Sequence, residues 1–129
     1  MSGYRQRRKV WKDLTRTLHL LAGDTPTTVG AAFLVGRPKY TIYVQKIAGA
    51  VLTLAAQTLT FQDTAGTPLR IGVLPASAPV GPFVLFELEE GIPLGEGNSL
   101  DIVGAAGVAA DIYVQAYLRP TGTMVPSQV

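Results

Sequence analysis

Residues of the types that do acid–base and nucleophilic chemistry are scarce in this sequence. It has no cysteine, which excludes thiol nucleophiles, disulfides and cysteine-ligated metals. The single histidine, His19, would have to serve any Ser-His-Asp triad or histidine metal site alone. His19 lies in a basic leader, away from any predicted pocket, so we expect it to be a partly exposed helix residue.

The acidic residues do not form an evident catalytic pair. Three of them lie close together along the chain: Glu87, Glu89 and Glu90. A glycosidase-type pair needs two carboxylates about 5–10 Å apart across a cleft, and we expect these three to line a solvated loop instead. Three others stand at predicted turns or strand starts, where Asp accepts local backbone hydrogen bonds: Asp63, Asp101 and Asp111. We therefore expect no enzymatic activity, no cofactor and no metal.

The basic residues are concentrated at the start of the chain. Residues 1–46 contain nine basic and two acidic side chains, whereas residues 47–129 contain two basic and seven acidic ones. The formal net charge of +2 therefore combines a segment of +7 with a segment of −5. Such a division is typical of a basic arm on a neutral-to-acidic body.

The spacing of apolar residues predicts that this basic arm is a helix over residues 4–22. Val10, Leu14, Leu18 and Leu21 recur at steps of four, four and three, and Gly23 would end the helix. The apolar stripe is compatible with docking on the chain's own body, on another subunit or on a nucleic acid. The residues we expect to bind a partner are Arg5, Arg8, Lys9, Trp11, Lys12, Leu14, Arg16 and Leu18.

After residue 28 the sequence is typical of a β-protein. Seven or eight short apolar stretches alternate with Gly- and Pro-containing turns at intervals of roughly 8–12 residues, which predicts an all-β fold, an antiparallel, jelly-roll-like β-sandwich. Residues 40–47 are the clearest strand, and residues 58–62 and 69–74 form a predicted hairpin. Residues 89–93 are predicted as a loop.

A four-residue phrase occurs twice within these strands. Ile-Tyr-Val-Gln stands at residues 42–45 and again at 112–115. Four residues are too few for an internal repeat. We expect two strands in equivalent half-buried environments that lie side by side in one sheet.

The predicted organisation has three parts. A basic amphipathic arm covers residues 1–28, the β-sandwich residues 29–118, and a flexible tail residues 119–129. The longest apolar runs have ten and eight residues, well below the roughly 20 needed to span a bilayer. We therefore expect a soluble protein that has no membrane partner and is made in a cytoplasm.

Several strand-and-turn phrases resemble a family of small β-sandwich proteins encoded among the head genes of tailed bacteriophages. They are Thr-Ile-Tyr-Val-Gln-Lys-Ile at 41–47, Ala-Ala-Gln-Thr-Leu-Thr-Phe-Gln-Asp at 55–63, Pro-Leu-Gly-Glu-Gly-Asn-Ser-Leu at 93–100 and Gly-Val-Ala-Ala-Asp-Ile-Tyr-Val-Gln-Ala-Tyr at 107–117. The resemblance covers residues 40–118 and leaves residues 1–39 outside. It is carried by structural phrases and by no catalytic motif.

The resemblance implies a virion component, most simply a capsid decoration or cement protein. Its partners would be the major capsid protein and copies of itself in a homo-oligomer such as a trimer, and it would have no small-molecule substrate. It would be located in the virion, after assembly in the host cytoplasm. The basic arm would then anchor the sandwich to the shell or to a neighbouring subunit.

Two other functions remain open from the residues alone. The first is a nucleic-acid-binding β-barrel module, in which the basic arm neutralises phosphates while Tyr4 and Trp11 stack on bases. The second is a carbohydrate-binding sandwich that uses Tyr43, Tyr113 and Tyr117.

Overall fold

The chain folds almost entirely into β-strands. The computed structural model describes residues 12–53, 57–64, 70–76 and 78–121. In chain order the elements are β1 (Lys12–Asp13), β2 (Arg16–Leu20), α1 (Pro26–Val29), β3 (Tyr40–Thr53), β4 (Leu59–Asp63), β5 (Arg70–Leu74), β6 (Gly81–Pro93), β7 (Leu100–Val103) and β8 (Ala109–Pro120). No helix in these ranges is long and apolar enough to cross a membrane.

The strands form two antiparallel sheets, which confirms the predicted all-β, sandwich-type fold. The first sheet has the order β1–β8–β3–β6, and β2 continues the β1 edge along β8. The second sheet has the order β5–β4–β7. The predicted hairpin of residues 58–62 and 69–74 is present as the antiparallel pair β4–β5.

From β3 onward, most strands that follow each other along the chain lie in different sheets. In the first sheet β3 pairs with β8 from Tyr40↔Pro120 to Thr53↔Ala109, and in the second sheet β4 pairs with β7 from Thr60↔Val103 onward. The connections β3–β4 and β7–β8 therefore both pass from one sheet to the other. The two Ile-Tyr-Val-Gln phrases lie in β3 and β8, so the expectation that they are adjacent in one sheet is confirmed.

The core lies between the two sheets and follows the strand alternation. In β8 every even-numbered residue from Ala110 to Leu118 is buried, so the odd-numbered residues point away from the core. The second sheet contributes the fully buried Leu59, Phe61 and Ile102. The large buried side chains of both sheets form one continuous cluster.

The prediction of a helix over residues 4–22 is wrong for the part that the structure describes, because residues 12–13 and 16–20 are strands. A spacing of four, as between Leu14 and Leu18, is even, and it therefore places side chains on one face of a strand as well as of a helix. Leu20 is buried whereas Leu21 is 65% exposed, which is the alternation of a strand. Residues 4–11 of the predicted helix lie outside the described residues.

Pairing with the edge of β8 stabilises the strand conformation of β1 and β2. Residues 16–20 pair in register with residues 110–114 of β8, and the Leu14 N–H donates to the Ala116 carbonyl at 2.9 Å. These bonds satisfy backbone groups of β8 that would otherwise form an open sheet edge. The sheet therefore includes residues 12–13 and 16–20, within the range expected to be a separate arm.

The prediction of a loop over residues 89–93 is also wrong, because β6 continues to Pro93. The strand does not run smoothly, however. Its pairing with β3 passes from Lys46↔Glu87 to Val44↔Ile92, so that four residues of β6 lie opposite Gln45 alone. This large bulge explains why the segment has a loop-like sequence, which includes Gly91 at φ +84°.

Candidate functional site

The residues expected to bind a partner have different positions in the structure. Arg5, Arg8, Lys9 and Trp11 lie outside the described residues. Lys12 is exposed on β1. Leu14 and Leu18 are half-buried and pack against the protein's own hydrophobic core. The apolar side of residues 12–20 is therefore directed into the sandwich to which they belong.

Arg16 has its contacts within the chain as well. Its guanidinium donates to the Phe33 carbonyl at 2.6 Å and lies 4.8 Å from the centroid of the Phe33 ring. The even register of β2 places Arg16 on the same side as Leu18, at the end of the sandwich. It joins β2 to the segment after α1 that covers the edge of β7.

His19 lies beside a carboxylate on the neighbouring strand. It is a strand residue of β2, opposite Asp111 of β8, and its Nδ1 lies 2.7 Å from an Asp111 carboxylate oxygen. The two side chains are 79% and 53% exposed, so this contact contributes little to stability. The described ranges also contain no group of three His, Cys, Asp or Glu residues that could hold a metal ion.

A large concave surface lies on the outer face of the first sheet. We call it the outer groove; it has a volume of about 1160 Å³. Its floor is formed by outward-facing side chains of the central strands β3 and β8: Tyr43, Gln45, Tyr113, Gln115 and Tyr117. One wall is the β1 edge, with Lys12, Asp13 and Thr15, and the other is the β6 bulge, with Glu89, Glu90, Gly91 and Pro93.

Strand pairing brings the tyrosines of this floor together. Tyr43 and Tyr117 are directly opposite each other in the β3–β8 register, and their rings stack with centroids 5.2 Å apart at an angle of 7°. The Arg119 guanidinium lies 4.4 Å from the Tyr43 ring centroid. Tyr113 lies four residues before Tyr117 on the same face of β8.

Hydrogen bonds hold the floor against the bulge of β6. The Gln45 Nε2 donates to the Glu89 carbonyl at 2.7 Å, and the Tyr117 hydroxyl donates to the Glu90 carbonyl at 3.0 Å. A longer bond of 3.4 Å runs from Gln115 Nε2 to Gln45 Oε1. Because the bulge carbonyls act as acceptors, the irregularity in β6 fixes the side chains of the neighbouring strands.

Two groups of the outer groove have shifted pKa values. Burial raises the pKa of the Tyr117 phenol above its usual range, an effect that the charge of Arg119 partly opposes. The Thr15 hydroxyl and the Thr15 N–H both donate to Asp13 and lower the pKa of its carboxyl. Tyr117 is therefore a neutral hydrogen-bond donor and Asp13 a carboxylate at neutral pH.

The acidic residues near the outer groove each make their own contacts. Glu87 lies 3.7 Å from Lys46 and is mostly exposed. Glu89 and Glu90 are exposed on the bulge, where their backbone carbonyls make the contacts with the floor. Asp63 and Asp101 accept backbone N–H groups, those of Gly95 and Ala32, but these partners are distant in the sequence and not local as expected.

A second surface stands out by its apolar character. Leu52 lies next to the end of β3, Val73 on β5, Val80 on the loop between β5 and β6, and Val84 and Leu88 on β6; their exposed fractions range from 45% to 73%. We call these five residues the edge patch, because β5 and β6 are the edge strands of their sheets and lie against each other.

Reasoning from the sequence identified the three tyrosines but missed Arg119, Gln45 and Gln115. The signal was available, because every second residue from 111 to 119 is polar or aromatic. The β6 bulge had no comparable signal, since it depends on the register between two distant segments.

No protein-family model, curated protein or solved structure matches this chain.

Proposed function

We propose that this protein is a non-enzymatic structural component of a tailed-phage virion, a capsid decoration protein that binds the shell as a homo-oligomer. The edge patch is the observation that carries the proposal. The resemblance of residues 40–118 to β-sandwich proteins of phage heads supports it from the sequence.

The edge patch has the properties of a surface that is covered in an assembly. Residues 71–86 contain no charged side chain, although they include most of β5, the following loop and half of β6. Soluble proteins usually protect exposed edge strands with charges. Val80 and Val84 are instead 73% and 60% exposed. Clustered exposed apolar residues mark protein–protein contacts.

A second copy of the chain fits this surface in a closed oligomer such as a trimer. Low charge favours packing of identical surfaces, since like charges do not meet across the symmetry axis. The basic residues of the N-terminal region, with Trp11, would contact acidic surfaces of the major capsid protein. Trp and Arg are the residues that most often dominate such interfaces.

The stabilising effect on the shell would come from copy number. Each subunit contact is modest, but subunits linked in one oligomer bind several capsid sites at once, and the combined affinity exceeds that of a single contact. A decorated shell would therefore resist internal pressure without any chemical step by the decorating protein.

The oligomer is tested with Val84→Asp and with the matched control Val35→Asp, which changes an exposed valine outside the edge patch. Light scattering after size exclusion should show an oligomer for the wild type and the control, and a monomer for Val84→Asp. Sedimentation with purified capsids should show reduced occupancy for Val84→Asp only. A monomeric wild type, or full capsid occupancy of the monomeric variant, would contradict the proposal.

The N-terminal basic residues are tested by the triple variant Arg5→Gln, Arg8→Gln, Lys9→Gln. Loss of capsid binding with retention of the oligomer supports an anchoring role. Deleting residues 1–28 is unsuitable, because it removes β1 and β2 from the first sheet. Binding of the wild type to duplex DNA with a steep salt dependence, abolished in the triple variant, would favour the nucleic-acid-binding alternative.

A further inference from the structure

The outer groove contains an aromatic surface that the proposed capsid contact does not use. Tyr43, Tyr113 and Tyr117 are half-buried, and their phenol rings lie on two adjacent strands. A half-buried ring keeps a fixed orientation and still offers part of its surface to a ligand. Aromatic rings attract the apolar C–H faces of sugar rings, whose hydrogens carry a small positive charge, by the same electrostatics that favour edge-to-face aromatic contacts.

The polar groups around the tyrosines suit a ligand rich in hydroxyl groups. Planar amides of Gln45 and Gln115 both donate and accept hydrogen bonds, whereas the carboxylates of Glu89 and Glu90 accept them. A sugar hydroxyl can donate a hydrogen bond to a carboxylate and accept one from an amide N–H. This combination of an aromatic floor and a few convergent polar groups is typical of ligand-binding clefts.

The floor is organised before any ligand arrives. Gln45 is held by the Glu89 carbonyl at 2.7 Å, and Tyr117 by the Glu90 carbonyl at 3.0 Å. The stack of Tyr43 on Tyr117 restricts both rings further. Fixed side chains reduce the conformational entropy that binding would cost.

The charges of the groove select against polyanions. Its lining includes the cations Lys12 and Arg119 together with three carboxylates, those of Asp13, Glu89 and Glu90. A nucleic acid or a strongly sulfated chain would place its charges beside these carboxylates. A neutral chain meets no such repulsion.

The dimensions favour a chain over a single sugar. The groove volume of about 1160 Å³ lies above the roughly 300–1,000 Å³ of ordinary small-molecule pockets, and the groove is open to solvent. We propose that the outer groove binds a neutral carbohydrate chain, with Tyr113 and Tyr117 contacting the sugar rings. The edge patch and the outer groove share no residue, so Val84→Asp and Tyr117→Ala test the two proposals separately.

The test uses the full-length protein on an array of neutral glycans, sulfated and uronic-acid glycans, and single-stranded oligonucleotides. We expect binding to neutral glycans, and the neutral oligosaccharide retained most strongly is then titrated by calorimetry. Tyr117→Ala and Tyr113→Ala should each weaken binding of that oligosaccharide about tenfold.

The matched control is Tyr40→Ala. Tyr40 is also a half-buried tyrosine of β3 with an arginine over its ring, Arg37 at 4.5 Å, but it does not line the groove. The Tyr40→Ala variant should bind the oligosaccharide with the affinity of the wild type. Thermal melting of each variant identifies any loss of binding that comes from unfolding, and Gln115→Ala provides a further groove variant if Tyr117→Ala is unfolded.

Three results would overturn the inference. They are no glycan binding anywhere on the array, binding of oligonucleotides or acidic glycans alone, and equal loss of affinity in Tyr40→Ala and Tyr117→Ala. Capsid sedimentation of Tyr117→Ala should match the wild type, so that failure of the glycan inference is distinguished from failure of the capsid proposal.

Discussion

The tyrosines of the outer groove differ in environment because strand register, rather than sequence distance, determines their neighbours. Tyr43 and Tyr117 are 74 positions apart in the sequence and directly opposite in the sheet. Burial raises the pKa of the Tyr117 phenol. Its hydroxyl also donates to the Glu90 carbonyl of the bulge.

This shift predicts a pH effect that can be measured. The pKa of Tyr117 is raised in the folded state, so its contribution to stability is complete below about pH 10, the ordinary tyrosine pKa, and is lost as the pH rises through the folded value. Subtracting the alkaline absorbance titration of Tyr117→Phe from that of the wild type isolates the ionisation of Tyr117. The midpoint of this difference curve should lie above that of free tyrosine. A midpoint at or below that of free tyrosine, in protein that circular dichroism shows to be folded, contradicts the assignment.

Asp63 is a second residue whose role depends on tertiary contacts. It is 3% exposed and accepts hydrogen bonds from the Gly95 N–H at 3.2 Å and the Asn98 side-chain amide at 3.3 Å. The carboxylate thereby attaches the loop between β6 and β7 to the end of β4.

We expect Asp63→Ala to lower the free energy of unfolding by about 2–3 kcal/mol, because it leaves partly buried donors without their charged acceptor. The matched control is Asp24→Ala, which removes an exposed carboxylate that accepts the Leu21 N–H and should cost less than about 1 kcal/mol. Urea unfolding measures both. Equal losses of unfolding free energy in Asp63→Ala and Asp24→Ala would contradict this prediction.

At the scale of elements, β2 shows how a strand can have a helix-like apolar pattern. Leu14 and Leu18 fit both periodicities, and only the pair Leu20 and Leu21 separates them. The helix prediction required Leu21 on the apolar face, whereas the strand buries Leu20 and exposes Leu21.

Substitution of these two neighbours tests the strand directly. Leu20→Ala should lower the free energy of unfolding by about 2–4 kcal/mol, because it creates a cavity in the core. Leu21→Ala should change it by less than about 0.5 kcal/mol. The reverse order of the two costs would support the helix in place of β2.

The β6 bulge is the element that turns a regular sheet into a groove. A regular β6 would place one residue opposite Gln45. In the structure four residues of β6 lie there, and they form a wall of the groove beside the tyrosines. Gly91 supports this path, since its φ of +84° is costly for other residues. Residues 89–93 have a loop-like composition, but pairing with β3 retains them in the sheet.

At the scale of the whole molecule, the two sheets leave different edges open. β3 and β8 lie in the interior of the first sheet, whereas β5 and β6 are edge strands that carry most of the edge patch. The polar outer groove and the apolar edge patch therefore consist of different residues of one sandwich.

Hydrogen exchange should follow this arrangement. Amides of β3 and β8 should exchange slowest, because both strands are paired on two sides, and amides of β5 and β6 faster. If the edge patch joins copies of the chain, raising the protein concentration should slow exchange in β5 and β6 while leaving β3 and β8 unchanged. Exchange in β5 and β6 that is independent of concentration would count against the proposed oligomer contact.

The sequence by itself determined the fold class, the β4–β5 hairpin and the half-buried alternation of the two Ile-Tyr-Val-Gln phrases. These features follow from local alternation and turn residues, which act over a few positions. It also located the division of charge between the N-terminal region and the rest of the chain.

Only the tertiary structure decided the conformation of residues 12–20, the stacking of Tyr43 on Tyr117 and the wall of the outer groove. Each of these depends on pairing between segments far apart in the sequence, where the free energy of closing a sheet edge and filling the core outweighs local preference. A spacing of four residues permits a helix and a strand alike, and the open edge of β8 selected the strand.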